Sequence, residues 1–173
     1  ILKASDLFTF LDFKRPEDYM KDQDVLKGYL AYFVPVNLTK IYSLLKELSR
    51  SPLIFRKKDL KIVDIGCGPS PAVLPIFKLV KEGIISLSYV RYIGVELEEK
   101  AIQFGKEMIE KFKPKKLFVN YEFLKADASD VKTYIELKEL KPDIMIFSNS
   151  LGEIFDRKGI TKEDFIKFIK YFN

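Results

Sequence analysis

Histidine and tryptophan are absent from the 173 residues, cysteine occurs once, at Cys67, and glutamine only twice. Without an imidazole, and with a single thiol, zinc sites built from His and Cys are excluded, as are serine or cysteine hydrolases that rely on an imidazole base. Acid–base chemistry must then use Asp, Glu, Lys or Tyr. A lone cysteine forms no disulfide within the chain, which suits a reducing cytoplasm. No apolar run approaches the roughly 20 residues that span a bilayer, and the N-terminus lacks the basic-then-apolar order of a signal peptide. A soluble, cytoplasmic protein with no membrane partner is expected. There are no internal repeats or low-complexity tracts.

What remains is ordinary for a globular domain: 47% hydrophobic and 32% charged residues, with eight Gly and eight Pro. A chain of this length buries roughly 70% of its unfolded surface, so neither disulfides nor a structural metal are needed. The net charge of +5 is a small surplus of 30 basic over 25 acidic side chains and by itself points only weakly to nucleic acid. Abundant Lys, Glu and Ile with few labile side chains resemble a thermophile's composition.

Two regions emerge, an N-terminal helical segment over 1–52 and an α/β segment over 53–173. In the first, Leu7, Phe8 and Leu11 share a stripe, and Ile41, Leu44, Leu45 and Leu48 follow helical spacing after Asn37, a suitable N-cap. In the second, apolar runs at Lys61 to Ile65, Tyr92 to Leu97, Tyr121 to Ala126 and Ile144 to Phe147 predict strands. Pro71 to Lys81 and Glu98 to Phe112 predict helices, the latter with Ala101, Phe104, Gly105, Met108 and Phe112 on one face. Thr161 and Asp164 resemble a capping box opening a last helix. Such alternation predicts a doubly wound, mostly parallel α/β sheet, whose ligands bind beyond the carboxyl ends of the strands.

Four loops at those ends carry polar or flexible residues. Asp64-Ile65-Gly66-Cys67-Gly68-Pro69-Ser70-Pro71 combines two glycines that let the backbone turn close to a ligand, with Ser70 as a candidate N-cap and Pro71 for the first helical turn. Pro71 stands where a dinucleotide fingerprint wants a third small residue, which argues against NAD or FAD. Glu96, ending the second strand, suits both hydroxyls of a ribose, although helix capping is its structural alternative. Asp127, beside Ala128, would accept from the amino group of an adenine packed on Leu97, unless it only forms a turn. Ser148 and Asn149 end the fourth strand, where polar side chains also commonly bond the backbone.

Together these loops resemble the class I S-adenosylmethionine-dependent methyltransferases over roughly Leu60 to Leu151. The resemblance implies S-adenosylmethionine as cofactor: Asp64 to Pro69, with Gly66, Cys67 and Gly68, around its methionine part; Glu96 on the ribose; Leu97, Asp127 and Ala128 at the adenine; and Ser148 to Ser150 between cofactor and acceptor. Tyr29 to Pro35, the glycine-proline loop and Ser148 to Ile154 are similar to methyltransferase-like proteins of the mitochondrial small ribosomal subunit and their relatives, though the cysteine cluster of that group is lacking. The Gly-Pro-Ser-Pro run is similar to nicotianamine-synthase-like enzymes, which transfer an aminopropyl-type group.

No Pro-Pro-aromatic motif follows Ser148-Asn149, and no second cysteine is available for covalent activation of a pyrimidine carbon. Methyl transfer to nitrogen or oxygen, which chiefly requires alignment and exclusion of water, remains. The acceptor is expected to be RNA or a small molecule. The competing reading is a ribosome-assembly factor that binds cofactor without turnover, and no catalytic residue is singled out. Phe8, Phe10, Phe13, Tyr19, Tyr29, Tyr32 and Phe33, with nearly cancelling charges among them, read as a lid. Arg56 to Lys58 and Lys111 to Lys116 precede strands and read as solvated surface at the far end of the sheet. Class I domains have seven strands and only four are recognisable here. The fourth strand is therefore expected to be an edge completed by further chain or by a second subunit.

Overall fold

The computed structural model describes residues 22–51, 55–128, 130, 133, 137, 139–148, 150–151, 161, 163 and 166. Within them the elements run α1 (Gln23–Gly28), a π-helical turn (Tyr29–Phe33), α2 (Val34–Leu48), β1 (Asp59–Ile65), α3 (Val73–Lys81), β2 (Tyr89–Glu96), α4 (Glu99–Phe112), β3 (Phe118–Lys125) and β4 (Ile144–Ile146). The four strands form one sheet in the order β3-β2-β1-β4, and every pairing is parallel. β2 and β4 flank β1 on opposite sides, so strand order reverses at β1, the position at which open α/β sheets form their ligand crevice.

Residue alternation along each strand divides the sheet into two unlike faces. Leu60, Ile62, Val90 and Tyr92 are buried beneath Val73, Ile76, Phe77 and Leu79 of α3, Ile41 and Leu45 of α2 and Ile109 of α4. The opposite face is apolar only toward the carboxyl end, where Val63, Ile65, Ile93 and Val95 pack with Leu137. Toward the amino end it carries Asp59, Lys61, Tyr89, Arg91, Phe118 and Asn120, all exposed or half-buried. Burying each large aliphatic or aromatic side chain contributes about 1.5 to 3 kcal/mol, so the α3 face dominates stability.

Several local expectations shift. Asn37 lies inside α2 rather than at its cap, because the helix already begins at Val34 with proline in its first turn. Its buried amide instead donates to the Tyr29 hydroxyl at 3.4 Å. Leu44 is 61% exposed while Val34, Ile41 and Leu45 face inward. In α4 the buried residues are Ala101, Ile102, Gly105 and Ile109, and Phe112 turns outward, since the helix presents its smallest residues to β3. The residues Leu7 to Tyr19 and the capping pair's Asp164 lie outside the described residues.

One ring accounts for those small residues. A Cβ on Gly94 would sit 2.9 Å from Phe123 and 2.9 Å from the Cys67 sulfur, and one on Gly105 would sit 3.0 Å from the same ring and 3.2 Å from Pro71. Phe123 thus fills the gap between β2 and α4 because glycine faces it from both sides. Gly94→Ala is expected to destabilise the fold by about 1 to 3 kcal/mol, the usual cost of overpacking, measured by urea unfolding.

Candidate functional site

Chain reversals at the carboxyl ends of the strands are tied to one another. Gly66 and Cys67 both donate their amides to the Val95 carbonyl, at 2.9 and 3.1 Å, so the first loop folds over β2. Gly66 and Gly68 have φ of +66° and +56°, left-handed values that favour glycine. A Cβ on Gly66 would collide with Ser150 at 2.6 Å, whereas the nearest atom to one on Gly68 is the Tyr29 hydroxyl at 4.0 Å. Of the two, only Gly68 would accept a Cβ without collision, beneath the Tyr29 hydroxyl.

Glu96 closes the arrangement. Its Oε2 accepts the Gly68 amide at 2.8 Å, and Oε1 accepts the Leu97 and Glu98 amides at 2.8 and 2.9 Å. The carboxylate thus caps the entry to α4 and also fastens the glycine loop, the two roles being compatible. Leu97, 40% exposed, offers an apolar surface beside it. The Ala126 amide donates to the Glu96 carbonyl at 3.1 Å, which carries Asp127 and Ala128, both half-buried, to the same edge. The Asp127 carbonyl accepts from the Thr133 hydroxyl and the Asp130 amide, the turn that its sequence context suggests.

On the other side of β1, Ser150 donates to the Ile65 carbonyl at 2.7 Å and braces the exit of β4 against the first loop. Ser148 is half-buried two residues earlier, and Asn149 lies outside the described residues. The edge thus brings together Gly66, Gly68, Glu96, Leu97, Asp127, Ala128, Ser148 and Ser150.

The Asp64 and Cys67 side chains turn the other way, into the core. Asp64 is 1% exposed, and its Oδ2 accepts the Ala72 amide and the Tyr92 hydroxyl, each at 2.8 Å. This bond does the capping that Ser70 was expected to do: the N-cap is Ala72, which has no side-chain bond of its own. Ser70 instead gives its amide to the Cys67 carbonyl, and Pro69 is buried beside it. Asp64 Oδ1 is buried without a hydrogen-bond partner among the described residues. Burial raises this carboxyl to about 6, against the Ala72 and Tyr92 bonds that lower it, and the Glu96 charge raises it further. Burial, then the charges of Asp64 and Glu96, push the Cys67 thiol well above its ordinary value, so it is a poor nucleophile.

Tyr92 and Tyr29 are structural partners that sequence reading passed over as site residues. A tyrosine within an apolar strand must find a partner for its hydroxyl, which is the signal that Tyr92 offers. Tyr29 sits above Gly68 only because a π turn and Asn37 hold it there, and no sequence signal marks that turn.

In the folded protein the Asp64 carboxyl is raised from its ordinary value near 3.8 to about 6. Because the folded carboxyl holds its proton more tightly, ionisation above pH 6 weakens folding, and the penalty is relieved as pH falls through 6 toward 4. Asp64→Asn is therefore expected to lose about 2 kcal/mol of stability relative to the parent between pH 7.5 and 4.5, read from paired urea melts at the two pH values. In the same assay Gly66→Ala is expected to cost more than Gly68→Ala, since only the former adds a clash with Ser150 to the strain of a positive φ.

A family model described as "Methyltransferase domain" matches residues 56–170. Among solved structures, the plantazolicin methyltransferase BpumL in complex with SAH is 20% identical with a TM-score of 0.38, covering 72% of this chain and 38% of that one. BpumL with a monoazolic desmethylPZN analog and SAH is 19% identical with a TM-score of 0.40, covering 75% and 41%. Precorrin-6y C5,15-methyltransferase from Geobacter metallireducens GS-15 is 17% identical with a TM-score of 0.36, covering 92% and 75%. The chain spans about two fifths of the length of the two BpumL chains. No curated protein matches it. With two thirds of its length matched by that family model, and with the parallel sheet and glycine loop described above, the chain belongs to the methyltransferase-domain family of the class I S-adenosylmethionine-dependent methyltransferase superfamily.

Proposed function

We propose that the protein binds S-adenosylmethionine at the carboxyl edge of its sheet and transfers a methyl group to a nitrogen or oxygen acceptor, with RNA the favoured acceptor class. The observation that carries this reading is the bond from the Gly68 amide to Glu96, which sets the glycine turn beside a carboxylate and an exposed apolar side chain. Those features suit the three parts of the cofactor: small-residue backbone for the methionine part, Glu96 for the ribose hydroxyls, and Leu97 with Asp127 and Ala128 for the adenine. Ser148 and Asn149 are proposed at the acceptor side.

The bound cofactor would supply an electrophilic methyl on a sulfonium, which leaves as a neutral thioether when the acceptor's lone pair takes the methyl. The chain's own contribution is alignment and exclusion of water. Tyr29 roofs the glycine turn, and its hydroxyl is positioned by Asn37. The reaction needs no thiol or imidazole, in keeping with a buried Cys67 and the lack of histidine.

Titration calorimetry with S-adenosylmethionine tests the reading, with NAD as the contrasting ligand. Binding heat from the sulfonium cofactor alone is expected, and the reverse pattern would sink the proposal. Glu96→Ala is expected to weaken cofactor binding by about 1.5 to 3 kcal/mol through loss of charged hydrogen bonds; an unchanged affinity removes Glu96 from the site. Radiolabelled methyl transfer to total RNA then tests the acceptor class, and label recovered only in small molecules would replace it.

A further inference from the structure

At the amino end of the sheet, opposite the crevice, a hollow of about 360 Å³ is lined by Lys57, Asp59, Lys61, Tyr89, Lys141 and Asp143. Its volume lies within the range of sites for small ligands or a single monomer unit of a polymer. The wall is built: Asp143 receives Lys57 at 2.7 Å through one oxygen and the Lys61 amide at 2.9 Å through the other. Lys141 adopts a φ of +44°, the one non-glycine residue with positive φ among the described residues. That strained conformation belongs to the turn that delivers it to the rim.

Beside the hollow, register aligns Asp59 with Tyr89 and Tyr89 with Phe118 across β1, β2 and β3. The Tyr89 and Phe118 rings stack at 5.6 Å with 17° between planes. Phe118 is nevertheless 67% exposed. β3 is the edge strand among the described residues, so the ring stack ends at an open face. Arg91 occupies the next row of that face, half-buried, between Lys61 and Asn120, and the exposed Lys58, Lys115 and Lys116 lie in the turns that lead into β1 and β3.

We infer that this hollow and its ring stack form a docking site for single-stranded RNA. An unpaired base extends the Tyr89–Phe118 stack on the open face of Phe118, while lysines at the hollow take the phosphates. Base pairing would deny that ring its partner, which selects against duplex. The exposed carboxylate of Asp59, in the same row as the rings, accepts from a ribose 2′-hydroxyl, the group that distinguishes RNA from DNA. Charge complementarity supports the assignment: three lysines against two aspartates line the hollow, and the neighbouring turns add the exposed Lys58, Lys115 and Lys116 against Glu82 and Glu139. β2 is eight residues long, which separates this site from the crevice by about 23 Å. RNA anchored here is held at a distance from the proposed methyl-transfer site, and the inference does not depend on that reading.

The test is fluorescence anisotropy of a labelled 12-residue oligouridylate with the unmodified chain, without cofactor, at low and moderate salt. Binding that weakens as salt rises is expected. Phe118→Ala is expected to reduce affinity by about 5- to 100-fold, the range of one lost base stack. Lys61→Glu with Lys141→Glu is expected to reduce it further, and circular dichroism checks that these exposed substitutions leave the fold intact. No binding at low salt overturns the site, as does an affinity unchanged in both variants. Equal affinity for oligodeoxythymidylate overturns the assignment to RNA, and tighter binding of polyglutamate assigns the surface to an acidic protein partner instead.

Discussion

A single buried carboxylate holds the molecule in register. Asp64 stands near the end of β1, accepts from the hydroxyl of Tyr92 in β2 and from the amide of Ala72, the N-cap of α3, and so joins two strands and a helix entry through one oxygen. The glycine loop that separates β1 from α3 runs over seven residues, Gly66 to Ala72, is rich in proline and glycine, and would otherwise be free to adopt other paths. By fixing both ends of the loop, Asp64 decides where Gly66 and Gly68 point. Burying an ionisable group for this purpose is costly, as its raised pKa records, and the cost is offset by bonds to donors that would themselves be orphaned in the core.

The parallel architecture was legible because it depends on long-range patterns: β-branched runs, helical spacing and glycine at a strand exit all point to the same fold. Strand cores at Ile62, Ile93, Phe123 and Ile144 are where the pattern puts them. What escaped is decided by three-dimensional neighbours. Ser70 has the chemistry of a cap, yet Asp64 reaches the vacant amide first. Asn37 likewise has cap chemistry, but the helix began three residues earlier and turned the amide toward Tyr29. Glu96 shows why alternatives should remain open at a strand end: one carboxylate has enough lone pairs to cap a helix and tether a loop at once.

The two ends of the sheet differ in what they offer a partner. At the carboxyl end, backbone amides, small residues and Glu96 form a surface shaped by turns. At the amino end, side chains from adjacent strands form rows, with aromatic rings in one and cations in the next. Both follow from a sheet whose second face is apolar over only half of its length.

The π turn at Tyr29–Phe33 sets a ruler for the segment above the glycine loop. In a regular α-helix, positions eight apart are about 80° out of line. The wider turn absorbs this excess, and Tyr29 meets Asn37 across it. Regularising the turn at unchanged length would put Tyr29 about 80° out of line with Asn37 and swing the phenol off Gly68. Removing one residue would instead leave the two only about 20° apart, so a shorter, regular helix could replace the wide turn without losing the contact.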